Sequence, residues 1–194
     1  MTDTTRARAK ADRRAAMLAA AAHLFAERGF ARVSLEDLGA AVGVSGPALY
    51  RHFAGKQAVL GALLVGVSEG LASGGRAVVE EARDAAAALT ALIEFHVDFA
   101  LANADVIRVQ DRDLDSLADP DRHEVRALQR AYVELWVDVL GRLHPDAERS
   151  ILRTKAHATF GLINSTPHSG SARGSEKAQT RAVLERMAAA ALGA

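Results

Sequence analysis

Helix breakers in this chain are so few, and so tightly grouped, that the stretches between them have little choice but to be helical. Proline occurs four times in 194 residues, at Pro47, Pro120, Pro145 and Pro167, each time in the company of a capping residue or a glycine. Such groups punctuate helices rather than extend them. Elsewhere helix formers outnumber strand formers, and neither a convincing strand nor a tandem repeat interrupts them. The expected class is all-α, with about nine helices.

Periodicity places the helices. Residues 1–9 are polar, carry Arg6 and Arg8, and repeat at no structural period, which predicts a mobile arm. From Lys10 onward Leu18, Ala21, Ala22 and Phe25 recur three and four apart, marking a helix over residues 10–28 that Gly29 is suited to end in a left-handed cap. Ser34 with Asp37 three residues on has the form of a capping box opening a short helix, with Leu38, Ala41 and Val42 as its buried side. Gly43 breaks that helix, Val44 plugs the turn, and Ser45 caps a third, with Pro47 in the first turn where a missing amide costs nothing. Leu49 and Phe53 then face inward, leaving Tyr50, Arg51 and His52 for the outer surface. A longer helix starts at Lys56 and runs to a break at Ser73-Gly74-Gly75. Further periodic segments cover residues 84–103, 105–115, 120–143, 146–166 and 176–192, broken at Asp119-Pro120, His144-Pro145 and the stretch from Thr166 to Gly170. The expected division is an arm and helix-turn-helix over residues 1–55 and a helical body over residues 56–194.

Charge separates the same two parts. The chain is neutral as a whole, yet residues 1–56 hold nine Lys or Arg against five Asp or Glu, while residues 57–194 hold 15 against 19. A basic front carried by an acidic body fits a module that meets a polyanion while the rest stays off it. Cysteine is absent, which removes disulfides, thiol nucleophiles and thiolate metal sites. No apolar run approaches the ~20 residues that span a bilayer, and the N-terminal residues are charged where a signal peptide is apolar. The expectation is a cytoplasmic protein with no membrane partner. No glycine loop for phosphates and no His-Glu-x-x-His pattern occurs, so neither an enzyme nor a cofactor nor a metal is expected.

The run Gly43-Val44-Ser45-Gly46-Pro47-Ala48-Leu49-Tyr50-Arg51-His52-Phe53-Ala54-Gly55-Lys56 closely resembles the helix-turn-helix signature of the tetracycline-repressor (TetR) family of transcriptional regulators. An upstream Gly-Phe-x-x-Val-Ser-Leu segment, Gly29 to Leu35, strengthens the likeness. The resemblance covers roughly residues 10–65 and implies that Tyr50, His52 and Lys56 reach DNA phosphates. Ser34, Ser45 and the helix ends that they cap would add amide donors to the same backbone. Base reading would fall to Gly46, Pro47, Ala48 and Arg51, of which only Arg51 can donate a bidentate pair to guanine. Two positions depart from the family's common pattern: Gly46, where a polar or basic residue is usual, and Gly55, where Ser or Pro is usual. Arg6, Arg8, Lys10, Arg13 and Arg14 serve equally as a solvated arm or as phosphate and minor-groove contacts.

A single such motif makes few contacts, so a homodimer reading palindromic double-stranded operator DNA is expected. The last two helices are its candidate interface, through Ile151, Leu152, Ala158, Thr159, Leu162 and Ile163 on one, and Val183, Leu184, Met187, Ala188 and Ala191 on the other. An unknown small-molecule effector, hydrophobic or of acyl type, is expected between the body helices. Leu92, Phe95, His96 and Phe99, then Tyr132, Leu135, Trp136 and Val139, then His157, Phe160 and Asn164 are the residues nominated to line its pocket, most of them equally suited to plain core. Its binding would swing the helix that follows Lys56 and release the DNA. The competing readings are a nonspecific architectural DNA binder and an activator of the same family.

Overall fold

The protein is described by a computed structural model over residues 2–44, 49–165 and 175–193. Among these residues there are eight α-helices and two 3-10 turns: α1 (Thr2–Arg28), a 3-10 turn (Phe30–Arg32), α2 (Leu35–Ala41), α3 (Lys56–Glu80), α4 (Ala85–Ala102), α5 (Ala104–Asp113), a 3-10 turn (Leu114–Ser116), α6 (Asp119–Leu143), α7 (Arg149–Asn164) and α8 (Ser175–Leu192). Of the expected short helix at residues 47–53, Leu49 and Tyr50 are helical, while Ser45, Gly46, Pro47 and Ala48 lie outside the described residues. The break at 166–170 also lies outside them.

Most helix ends obey the chemistry that the residues dictate. Gly29 ends α1 with φ 86°, and Gly43 turns the chain after α2 with φ 68°, both in the left-handed region that a side chain disfavours. Asp84 caps α4 by accepting the Ala87 amide at 2.8 Å, and Pro120 sits in the first turn of α6. His144 closes α6, and its Nε2 lies 3.1 Å from the Leu192 carbonyl at the end of α8.

Four expectations need correction. Helix α1 begins at Thr2 and not at Lys10, so residues 2–9, expected as an arm, are helical. Ala41 is exposed, and the buried side of α2 is Leu35, Leu38 and Gly39. Helix α3 runs straight through Ser73-Gly74-Gly75 to Glu80. Those glycines mark close approach rather than a break: a Cβ on Gly74 would stand 2.4 Å from Phe95 Cζ, and one on Gly75 would stand 2.5 Å from Tyr132 Cε2. Finally, α3 and α4 are each long and apolar enough to cross a membrane by length and composition. Both are inner helices here, with Leu60, Leu64, Leu89 and Leu92 fully buried.

Two cores result. The first gathers Met17, Phe25, Val33, Leu38, Leu49 and Phe53 with Leu60 and Leu64 of α3, and reaches Val106 and Val109 of α5 and Val125 of α6. The second surrounds Trp136 with Leu89, Leu92, Val97, Leu140, Leu152, Ile163 and Leu184. Each fully buried Leu or Phe contributes about 1.5–3 kcal/mol. Helix α3 belongs to both cores, and so carries the first onto the second.

Candidate nucleic-acid interface and ligand cavity

The candidate interface is built on α2. The Ser34 hydroxyl accepts the Asp37 amide at 3.0 Å while the Asp37 carboxylate accepts the Ser34 amide at 2.8 Å and the Ser34 hydroxyl at 2.7 Å. These bonds from Ser34, backbone first, hold the Asp37 carboxyl below its ordinary pKa. Ser34 is thus committed locally through both its amide and its hydroxyl. After α2 the amides of Val42 and Val44 both return to the Gly39 carbonyl, and the chain re-enters the described residues at Leu49. There Leu49 is 1% exposed and Phe53 5% exposed, so they anchor the segment while Tyr50 stands 56% exposed, with Arg51 exposed and His52 half-buried beside it. Arg14 of α1 lies over the Phe53 ring at 5.3 Å.

Lys56 is placed differently from its expected neighbours. Its Nζ donates to the carbonyls of Phe30 at 2.8 Å and Ala31 at 3.3 Å, and lies 4.5 Å from the centroid of the Phe30 ring. The ammonium therefore ties α3 to the 3-10 turn after α1. Gly55 opens α3 in an extended conformation and offers no side-chain cap.

In the body, α3, α4, α5, α6 and α7 line a half-open cavity of about 240 Å³. His96, Phe99, Tyr132, His157, Phe160 and Asn164 line it, bringing together six of the residues nominated from the sequence. Leu92, Phe95, Leu135, Trp136 and Val139, nominated with them, do not reach the cavity. Leu92, Trp136 and Val139 are wholly buried in the core, and Phe95 and Leu135 pack on the glycines of α3. Sequence reasoning missed the wall supplied by Ser68, Ile107, Gln110 and Gln129. The only signal for it is a glutamine at the margin of an amphipathic helix, which surface positions supply just as often.

Aromatic rings crowd the cavity: Phe160 lies 4.8 Å from His96, 5.7 Å from Tyr132 and 5.0 Å from Trp136, centroid to centroid. Burial lowers the His96 pKa to about 4, against a smaller opposing influence from Asn164, so the imidazole is neutral. Burial raises the Tyr132 hydroxyl above its usual range, so it stays protonated. The two meet at 3.3 Å through His96 Nδ1. His96 Nε2, Trp136 Nε1 and Asn164 Oδ1 are buried and, among the described residues, have no hydrogen-bond partner.

Residues 17–63 match the profile of the bacterial regulatory proteins of the tetR family, and residues 82–192, more than half of the chain, match the tetracyclin repressor-like C-terminal domain. The chain belongs to the TetR family. Its relatives are transcriptional regulators and not enzymes. It is 30% identical over 132 residues to the HTH-type transcriptional repressor KstR2 of Rhodococcus jostii, a match covering 68% of this chain and 65% of that protein, just under two thirds of the relative's length. Over 88 residues it is 33% identical to the HTH-type transcriptional activator FasR of Mycolicibacterium smegmatis, covering 45% of this chain and 40% of the activator. A TetR-family regulator from Bordetella parapertussis superposes with a TM-score of 0.82 at 27% identity, over 92% of this chain and 93% of the other.

Within this TetR-family chain the charged stretch of α5 forms ion pairs. Arg108 pairs with Asp105 at 3.5 Å. Arg112 binds the Asp113 carboxylate at 2.9 Å and also donates to the carbonyls of Phe25 and Ala26 in the last turn of α1. Asp113 in turn accepts the Phe30 amide at 3.3 Å. The end of α1 is thereby held by α5, the same helix that lends Ile107 and Gln110 to the cavity wall.

On α7 and α8, Leu152, Thr159, Ile163, Leu184 and Ala188 turn into the chain's own core. Ile151, Val183 and Met187 are left 53%, 37% and 49% exposed, with Ala158 and Ala191 exposed alongside them.

Proposed function

We propose that this TetR-family regulator is a ligand-responsive repressor that works in the cytoplasm. It binds a palindromic operator as a homodimer and lets go when a small hydrophobic or acyl-type molecule fills the body. What supports this reading is a juxtaposition: Tyr50 and Arg51 stand in solvent beside a firmly anchored turn, while the body behind them holds a half-open cavity. Tyr50 and His52 are the phosphate contacts, and Arg51 is the base reader. The exposed Ile151, Val183 and Met187 supply an apolar strip for a second copy, since helices pair through small and branched side chains.

Repression is favoured over activation because the match to the repressor KstR2 covers 68% of this chain and that to the activator FasR covers 45%. A nonspecific architectural binder separates from both by salt, since a sequence reader keeps its palindrome at ionic strength that strips random duplex away. The test is footprinting on the DNA flanking the protein's own gene, repeated with hydrophobic and acyl molecules. Replacing Arg51 with Ala is expected to cost about 1–3 kcal/mol at the protected site and to flatten its preference over random duplex. Preference left intact by Arg51→Ala overturns the base-reading role.

A further inference from the structure

The cavity states more about its occupant than that it is apolar. The chemistry of its walls, taken with the regulator reading above on which this inference rests, selects one class of molecule.

Charge is the first criterion. No Lys, Arg, Asp or Glu stands among the described residues that line the cavity; of its two histidines His96 is 3% exposed and faces the buried end, while His157 is exposed. An ionised group seated at the buried end beside His96 loses hydration with no Lys or Arg to replace it, which is far costlier than burying a hydroxyl that finds a partner. The nearby arginines are engaged elsewhere: Arg112 with Asp113 and the end of α1, and Arg126 with Asp115 at 3.7 Å.

Unsatisfied polarity is the second. His96 Nε2 and Asn164 Oδ1 are buried polar atoms that make no hydrogen bond of good geometry among the described residues, although the Asn164 side chain lies close enough to His96 to oppose the lowering of its pKa. Buried polar atoms are almost always paired in folded proteins, so two orphans at one cavity mark where a ligand's polar atom belongs. Gln110 and Gln129 are half-buried and His157 is exposed, so these three keep access to water, and the other two polar groups are engaged. Ser68 Oγ donates to the Leu64 carbonyl at 2.8 Å, and Tyr132 meets the other nitrogen of His96.

Size is the third. A cavity of ~150 Å³ takes up one benzene ring, so about 240 Å³ accommodates one substituted ring or a compact pair.

We propose that the cavity binds a neutral, compact cyclic molecule with one hydroxyl or keto oxygen, held by His96 Nε2 and the side-chain amide of Asn164, and discriminates against the carboxylate of the same skeleton. A hydroxyl both donates and accepts, so it satisfies either histidine tautomer together with the amide. A ketone engages whichever of the two presents an N–H.

The chain's single tryptophan is Trp136, 5.0 Å from Phe160 in the cavity wall, and provides the readout. Four probes transparent at its excitation wavelength differ only in one substituent: 4-tert-butylcyclohexanol, 4-tert-butylcyclohexanone, 4-tert-butylcyclohexanecarboxylate, and tert-butylcyclohexane used up to its solubility limit. The alcohol and the ketone are expected to shift the Trp136 emission saturably and to bind at least about tenfold more tightly than the carboxylate, with the hydrocarbon between them. Asn164→Leu is expected to bring the alcohol down to the hydrocarbon's affinity while leaving the hydrocarbon's own affinity in place. His96→Phe does the same from α4, and because Asn164 is only partly buried, its variant keeps the test valid should the histidine variant not fold. The proposal falls if the carboxylate binds as well as the alcohol, if none of the four binds saturably, or if Asn164→Leu leaves the alcohol-to-hydrocarbon ratio unchanged. Footprinting separates this failure from that of the regulator reading. A protein that protects a palindrome yet prefers the carboxylate keeps the first reading and loses this one, and a protein that binds the alcohol but protects no palindrome does the reverse.

Discussion

The ammonium of Lys56 already has two acceptors inside the protein, the carbonyls of Phe30 and Ala31, and this sets its expected behaviour under mutation. A charged donor on a carbonyl contributes about 1.5–3 kcal/mol. These carbonyls are partly open to water, so Lys56→Met is expected to cost near the lower figure in a urea melt. The salt dependence of operator binding should then stay almost unchanged, whereas a slope lowered by about one would place the amine on a phosphate. His96 gives a second prediction, with a definite sign. Burial holds its folded pKa at about 4 against an ordinary 6.5, so below pH 6.5 the unfolded chain takes up a proton that the folded chain refuses. Its contribution to stability is therefore complete above pH 6.5 and is lost progressively down to about 4, by roughly 3 kcal/mol in all. Urea midpoints measured from pH 7 to 4.5 should fall more steeply for the native chain than for His96→Phe, and parallel curves would refute the assignment. His96 and Asn164 were legible in the sequence because a polar residue on an otherwise apolar helix face is conspicuous at the residue level. Gln110 and Gln129 were not, because glutamine at a helix margin is ordinary.

Among elements, the joint between α1 and α5 is the one that a sequence conceals most completely. Arg112 and the carbonyls it binds are 86 and 87 residues apart, and no periodicity announces a contact of that span. Arg112→Ala strips a donor pair from the last turn of α1 and frees the carboxylate that accepts the Phe30 amide. The expected result is a loss of about 1–2 kcal/mol, with faster hydrogen exchange at the Phe30 amide, and an unchanged exchange rate there would show that the joint does not depend on the guanidinium. Local chemistry, in contrast, was legible wherever a helix end is decided by its own residues. Ser34 with Asp37, Gly29 and Pro120 all do in the fold what their chemistry requires. The two misjudged helices fail for opposite physical reasons. The first turns of α1 lack an apolar stripe, so periodicity had nothing to detect. In α3 the glycines suggest an end by propensity, yet Phe95 and Tyr132 need the space where their side chains would be, and tertiary packing overrides a penalty of about 1 kcal/mol per glycine.

For the whole molecule, the decisive question is how many copies meet the DNA. The strip of Ile151, Val183 and Met187 is uncovered in one chain, and a charge in its middle would be buried unpaired in a dimer. Met187→Asp is therefore expected to sediment as a monomer with its helical content intact, and to bind the operator at least ~100-fold more weakly, since a second half-site held by the same body adds that order of avidity. A variant that still sediments as a dimer would move the pairing surface elsewhere. Helix α5 has a consequence that neither of its ends reveals alone. Ile107 borders the cavity and Arg112 grips α1, five residues and roughly 7.5 Å apart along one rigid rod. Any guest that tilts this splint to make room for itself tilts the footing of the reading head by the same motion. News of an occupant thus needs no relay of side chains, and substitutions that silence the response without touching guest or operator should gather on these ten residues.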